Sequence, residues 1–287
     1  MSFSPRPHLS DCLAAYAGCM AVPGCWDGLS ARLIEQNGFK AAFLSGGALA
    51  MARFGLPDMG FVTLTELAET TRAITCITQI PLIVDADAGF GNALNAGLTM
   101  RTLERAGAAA IILEDQTSPK RCGFIAGKSI VPATEAAGKI FAACDNRISD
   151  HTLVIGRTDA ALIEGIDAAI DRANLYIEAG ADLIFISGAE SLAGMTLIRE
   201  SIPAHIPLVH NMVGGAVNPI ETPATLNLLG FKVALHPLAL LSSFTQSAEH
   251  ALLAIRDHKP ISGTELSSLN ARVCTDDFIK TGLTYAN

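Results

Sequence analysis

The stretch Leu82-Ile83-Val84-Asp85-Ala86-Asp87-Ala88-Gly89-Phe90-Gly91 is a short apolar run that ends on two carboxylates one residue apart and turns away through glycines. A run this short and this rich in branched residues reads as a strand buried on both faces, as in a parallel sheet. The same signature recurs around 20–23, 41–45, 109–114, 153–156, 183–186, 208–210 and 232–235, which makes eight runs in all. Helical stretches separate them. Thr63 reads as the N-cap of LTELAETTRAIT, and 161–178 reads as one long amphipathic helix ended by Gly180. Eight strand–helix units predict an α/β chain forming a single (β/α)8 TIM-type barrel domain over 1–287. Residues 249–287 are left over as a C-terminal helical extension, suited to packing on a neighbouring subunit. Polar residues gather at the C-terminal ends of the runs, which is where such a barrel places its active site.

Composition narrows the function classes. Half of the 287 residues are hydrophobic and 17% are charged, enough to bury a large core. The net charge of −8 and the absence of any Lys/Arg-rich run argue against a nucleic acid or an anionic membrane as partner. Residues 201–220 carry no charge, but Pro203, Pro207, Pro219 and a Gly-Gly pair make them a poor membrane helix. The opening MSFSPRPHLSDC lacks an uninterrupted apolar stretch, so a cytoplasmic protein is expected. Seven cysteines with no CxxC pair favour neither a disulfide framework nor a zinc site.

Several constellations can carry chemistry. Strand alternation would point Asp85 and Asp87 the same way, so they can share a hard cation such as Mg²⁺; the alternative is an ordinary cap and turn. Glu114-Asp115 closes the next run, and converging carboxylates repel unless a cation sits among them. Asp115 reads equally as a turn cap. The polar loop QTSPKRCGFIAGKSIVP follows, long enough for a binding role, with Cys122 beside Lys120 and Arg121. Neighbouring cations favour a thiolate, so Cys122 can exchange a proton, although most loop cysteines are inert. Arg157 emerges from the fifth run and can bind a carboxylate or stabilise an oxyanion, or simply pair with Asp159 or Glu114. Ser45-Gly46-Gly47 offers a hydroxyl and backbone N–H groups to an anion, or is only a turn. Asn211 can hydrogen-bond a carboxylate. His210 reads as a buried core histidine, and His236 is ambiguous.

The ordered series PGCWDGLSA, FLSGG, LPDMG, DADAGFGNA, LEDQ, KRCG, GRTDA, HNM and GFKVALHPL resembles the isocitrate lyase and phosphoenolpyruvate mutase superfamily, especially its methylisocitrate lyase and 2,3-dimethylmalate lyase branch. The resemblance implies a Mg²⁺ ion, with Mn²⁺ as an alternative, held directly by Asp87 and through water by Asp85 and Glu114. It implies a carboxylate cradle at Ser45, Gly46 and Gly47, oxyanion stabilisation and substrate contact by Arg157, and an acid/base role for Cys122. Trp26, Asp58, Gly123 and Asn211 complete the implied substrate-binding set. It also implies a homotetramer exchanging a C-terminal helix between subunits. The activity implied is cleavage of a small malate-like 2-hydroxy carboxylic acid to an α-keto acid, pyruvate or glyoxylate, plus a carboxylate. An oxaloacetate-type hydrolase or decarboxylase, or a catalytically silent keto-acid binding protein, are the alternatives.

The chain departs from that branch at Phe124, where a His is usual, and at Trp26 in place of a Tyr. It also departs at Ser187-Gly188 in place of a Glu, with Glu190 displaced, and at Gly214 in place of an acid. An apolar Phe cannot offset the desolvation of a further substrate carboxylate, so a smaller or more apolar malate is expected rather than methylisocitrate.

Overall fold

The computed structural model describes residues 6–121, 127–189, 191–212 and 222–286. Its strands are β1 (Met20–Cys25), β2 (Ala42–Leu44), β3 (Leu82–Asp85), β4 (Ala110–Glu114), β5 (Leu153–Thr158), β6 (Leu183–Ile186), β7 (Val209–Asn211) and β8 (Val233–His236). Each expected apolar run is thus a strand. They lie in the order β6-β5-β4-β3-β2-β1-β8-β7, and every pairing is parallel. A parallel bridge between Ile184 and Leu208 brings β6 to the start of β7, so the sheet closes nearly completely into a barrel.

The helices are α1 (Leu9–Ala15), α2 (Gly28–Gln36), α3 (Gly46–Leu49), α4 (Leu64–Thr75), α5 (Ala93–Arg105) and α6 (Ala133–Asn146) in the first half. The second half holds α7 (Ile166–Glu178), α8 (Leu192–Ser201), α9 (Pro223–Leu228), α10 (Ala239–Arg256), α11 (Leu266–Arg272) and α12 (Thr275–Tyr285). Among the described residues, no helix is long and apolar enough to cross a membrane.

Strand alternation sorts the core into two clusters. Val22, Phe43, Ile83, Ile112, Ile155, Phe185, Val209 and Leu235 fill one, in which, among the described residues, α1 is the only helix represented, through Leu9 and Leu13. This is the barrel interior, plugged at its N-terminal end by α1. The neighbours Leu44, Val84, Ile111, Val154, Ile184 and Ala234 face the other way, into the larger cluster shared with the surrounding helices. Filling the barrel with side chains leaves its C-terminal rim as the place where loops and polar groups meet.

Thr63 caps α4 as expected, its hydroxyl accepting from Glu66 N while the Glu66 carboxylate accepts from Thr63 N at 2.8 Å. The expected helix over 161–178 is shorter than its pattern. Ala160–Leu162 forms a 3-10 turn, and Gly165 at φ +96° separates it from α7. Gly180 at φ +103° ends α7 as anticipated. The C-terminal boundary also moves, because residue 249 falls inside α10 rather than at its start.

Candidate active site

Asp85 is the last residue of β3, and Asp87 follows in a turn at a left-handed φ of +46°. The two carboxylates meet through that turn, not through continued strand alternation. Both press against the turn after β2, where Gly46 N donates to Asp85 Oδ2 at 3.3 Å. A Cβ at Gly46 would stand 3.1 Å from Asp85 Oδ2 and 3.4 Å from Asp87 Oδ1, and one at Gly47 would stand 3.1 Å from Asp58 Oδ2. The Gly-Gly pair therefore gives three carboxylates room beside the backbone. Ser45 caps α3, its Oγ accepting from Ala48 N at 3.2 Å, which leaves its O–H free to donate to a ligand.

Lys120 holds these carboxylates together. Its Nζ lies 2.5 Å from Asp58 Oδ1 and 2.8 Å from Asp87 Oδ1, and the residue is 6% exposed. The sequence reading assigned Lys120 only an electrostatic influence on Cys122. Its insertion among acids carried a legible signal all the same, since buried carboxylates converging on one rim require a cation.

Arg157, in β5, is clamped from both sides. Nη1 lies 3.0 Å from Glu114 Oε2 at the end of β4, and Nη2 lies 3.0 Å from Asp159 Oδ2. The guanidinium carbon sits 5.2 Å from the centre of the Phe185 ring. Among the described residues its buried Nε has no hydrogen-bond partner. Asp159 also receives Lys128 Nζ at 3.2 Å and Gln116 Nε2 at 3.3 Å.

Asp115 turns away from this cluster. Its carboxylate accepts from Thr158 Oγ1 at 2.6 Å, Tyr176 OH at 2.8 Å and Asp159 N at 2.9 Å, so it ties β4 to β5 and α7. Of the two readings left open for Asp115, the structure supports the local structural one.

Electrostatics follow from burial. Burial pushes the Asp87 carboxyl up, against the opposing pull of Lys120, and pushes Glu114 up against Arg157. Burial would also raise Asp159, but Arg157 and Lys128 together hold it below the usual carboxylate range. Glu114 Oε1 has no hydrogen-bond partner among the described residues, and neither has Asn211 Oδ1 at the end of β7. Burial lowers His210 to about 4, keeping it neutral, with its ring edge-on to Phe231 at 5.9 Å. Burial lowers His236 as well.

These strand ends enclose a rim cavity. Ser45, Asp58, Asp85, Arg157, Ser187 and Asn211 form its polar lining, and Phe43, Met51, Ile112, Phe185, Pro237 and Leu238 form its apolar wall. The structure does not bring Trp26 into it; Trp26 tilts against Phe244 at 6.1 Å and lines a separate hollow with Arg53 and Glu69. Cys122, Gly123, Phe124, Glu190 and Gly214 lie outside the described residues. Among the described residues no three His, Cys, Asp or Glu side chains are grouped closely enough to hold a metal ion between them. The arrangement offers an anionic pocket floor, a cationic guanidinium beside it and an apolar wall.

Comparison with known proteins gives a consistent picture. The family model described as phosphoenolpyruvate phosphomutase matches residues 9–256. The chain is 38% identical over 244 residues to the 2,3-dimethylmalate lyase of Eubacterium barkeri, covering 85% of this chain and 84% of that one. It is 38% identical to the 2-methylisocitrate lyase of Bacillus subtilis, covering 83% and 78%. Its fold superposes on oxaloacetate acetylhydrolase in complex with 3,3-difluorooxalacetate with a TM-score of 0.93 at 27% identity, covering 98% and 96%.

Proposed function

The chain belongs to the phosphoenolpyruvate phosphomutase family, and on that premise we propose that it is a Mg²⁺-dependent carbon–carbon lyase cleaving a small, alkyl-substituted malate into an α-keto acid and a carboxylate. One observation carries this reading: buried carboxylates at the ends of β3 and β4, with Glu114 Oε1 unpartnered among the described residues, stand beside a clamped Arg157 at a rim cavity that has both polar groups and an apolar wall.

The donor set fits a hard divalent cation. Asp85, Asp87 and Glu114 supply only oxygens, and burial disfavours the ionised forms of Asp87 and Glu114 unless positive charge is added. The resemblance implies that Asp87 would hold the ion directly and Asp85 and Glu114 through water. Mn²⁺ accepts the same donors. Bound there, the ion would polarise the oxygens on C1 and C2 of the substrate.

The chain's own residues account for the rest. Ser45 Oγ–H and Asn211 are placed to hold the substrate carboxylate, and Phe43, Met51 and Leu238 to pack against an alkyl substituent. As the C2–C3 bond breaks, the C2 hydroxyl gives its proton to Glu114, whose Oε1 has no other partner among the described residues, and Arg157 faces the oxygen that becomes the keto group. The electron pair released to C3 takes a proton, and the resemblance of KRCG assigns that delivery to Cys122. A methyl group on C2 makes the keto acid pyruvate; a hydrogen there makes it glyoxylate. Phe124, in place of the usual His, favours an apolar substituent over a further carboxylate.

The described cysteines are free thiols, as suits a reducing cytoplasm. Exposed apolar residues on α10–α12, among them Leu252, Leu266, Phe278 and Leu283, support a homotetramer joined through these helices.

Mass spectrometry of products from a panel of substituted malates, citramalate, methylisocitrate and oxaloacetate tests the proposal. Pyruvate or glyoxylate from a substituted malate supports it, whereas clean methylisocitrate cleavage would overturn the substrate assignment. A second reading, hydrolysis or decarboxylation of oxaloacetate, draws on the superposition with oxaloacetate acetylhydrolase. The variant Cys122→Ser separates the two, because only the lyase should lose nearly all turnover.

A further inference from the structure

We propose that Asp159 is a positioning residue for Arg157, and that Lys128 completes it by balancing the negative charge on the far side of the guanidinium. The inference rests on the reading of Arg157 as the group that faces the substrate.

Two carboxylates fix two nitrogens of one planar group: Glu114 takes Nη1 and Asp159 takes Nη2. That clamp sets the plane of the guanidinium, whose buried Nε has no partner among the described residues. Asp159 is itself immobilised. It is fully buried, its N–H donates to Asp115 Oδ1 at 2.9 Å, and Gln116 Nε2 donates to Asp159 Oδ2 at 3.3 Å. Asp115 is in turn held by Tyr176 OH at 2.8 Å and approached by Arg172 Nη1 at 3.4 Å, both from α7. The orientation of Arg157 is therefore inherited from the β4–β5–α7 framework and not from the loops.

The clamp has an electrostatic consequence. One guanidinium between two carboxylates leaves the group with an excess negative charge, which would repel an anionic substrate and blunt Arg157 as an oxyanion stabiliser. Lys128 Nζ, 3.2 Å from Asp159 Oδ1, removes that excess. The side chain comes from the stretch leading into α6.

The two residues make opposite predictions for binding and turnover, which a merely structural role would not. Oxalate, a planar dianion with the O–C–C–O unit of a 2-oxo acid, serves as the binding probe by calorimetry on the Mg²⁺-loaded protein. Kinetics follow on whichever malate the wild type cleaves. Asp159→Asn, which removes negative charge but loosens Arg157, should bind oxalate at least as tightly as wild type while kcat falls about tenfold or more. Lys128→Met should raise the oxalate Kd about tenfold, and Lys128→Arg should restore it. Melting temperatures identify any variant that has simply lost its fold. The proposal is overturned if Arg157→Lys is impaired while Asp159→Asn turns over within about twofold of wild type, or while Lys128→Met keeps its oxalate affinity. If Arg157→Lys itself binds oxalate and turns over like wild type, the underlying reading of Arg157 fails, and this inference with it.

Discussion

Without the ammonium of Lys120, the carboxylates of Asp58 and Asp87 would share a buried space with no cation between them. Breaking such a pair costs about 3 kcal/mol. Lys120→Met should therefore lower the melting temperature in the absence of divalent ions. Added Mg²⁺ should restore more stability to the variant than it gives the wild type, because the ion no longer competes with Lys120 for Asp87. A melting temperature indifferent to Mg²⁺ in the variant would count against the cation site. His210 provides a pH test. Its imidazole is lowered from 6.5 to about 4 by burial, so the unfolded chain binds the extra proton between those values. That contribution, roughly 3 kcal/mol, is present above pH 6.5 and is lost as the pH falls towards 4. His210→Gln should flatten the stability profile over this range in urea titrations; an unchanged slope would contradict the assignment. At this scale Asp85, Asp87, Glu114 and Arg157 were legible because each ends an apolar run. The pairing of Arg157 with Asp159 was legible as an alternative, and the acids signalled a buried cation, but nothing in a loop without periodicity identified that cation as Lys120.

Strands were the most legible elements, because parallel barrel strands are buried on both faces and appear as unbroken apolar runs. Helix limits were less so: the apolar pattern continues through 161–178, but Gly165 at φ +96° breaks the helix where the pattern does not. Another glycine marks where the first strand meets the end of the last. A Cβ on Gly24, in β1, would overlap the backbone carbonyl of Pro237, just beyond β8. Backbone cannot yield as a flexible side chain can, so Gly24→Ala should destabilise the fold by about 3 kcal/mol, read as a lower urea midpoint. A midpoint equal to that of wild type would show that β1 and the end of β8 can separate without cost.

For the molecule as a whole, alternation of strand and helix carried the barrel, while the C-terminal helices needed structural context. On α10 to α12 the side chains of Leu252, Ile255, Leu266, Phe278, Ile279 and Leu283 are each more than half exposed. Their sequence alone could not separate a surface helix from one awaiting a partner. Sedimentation should show a particle of about four 30.0 kDa chains, and truncation after residue 260 should reduce that mass. A monodisperse monomer would contradict the assembly.

The central claim concerns bond cleavage at the rim formed by Asp85, Asp87, Glu114 and Arg157. Its most direct test is NMR analysis of products formed from 2,3-dimethylmalate in D₂O by the Mg²⁺-loaded protein. The account predicts pyruvate and propionate in equal amounts, with one deuterium at C2 of each propionate and loss of both products in Cys122→Ser. Intact dimethylmalate, with oxaloacetate consumed in its place, would contradict it.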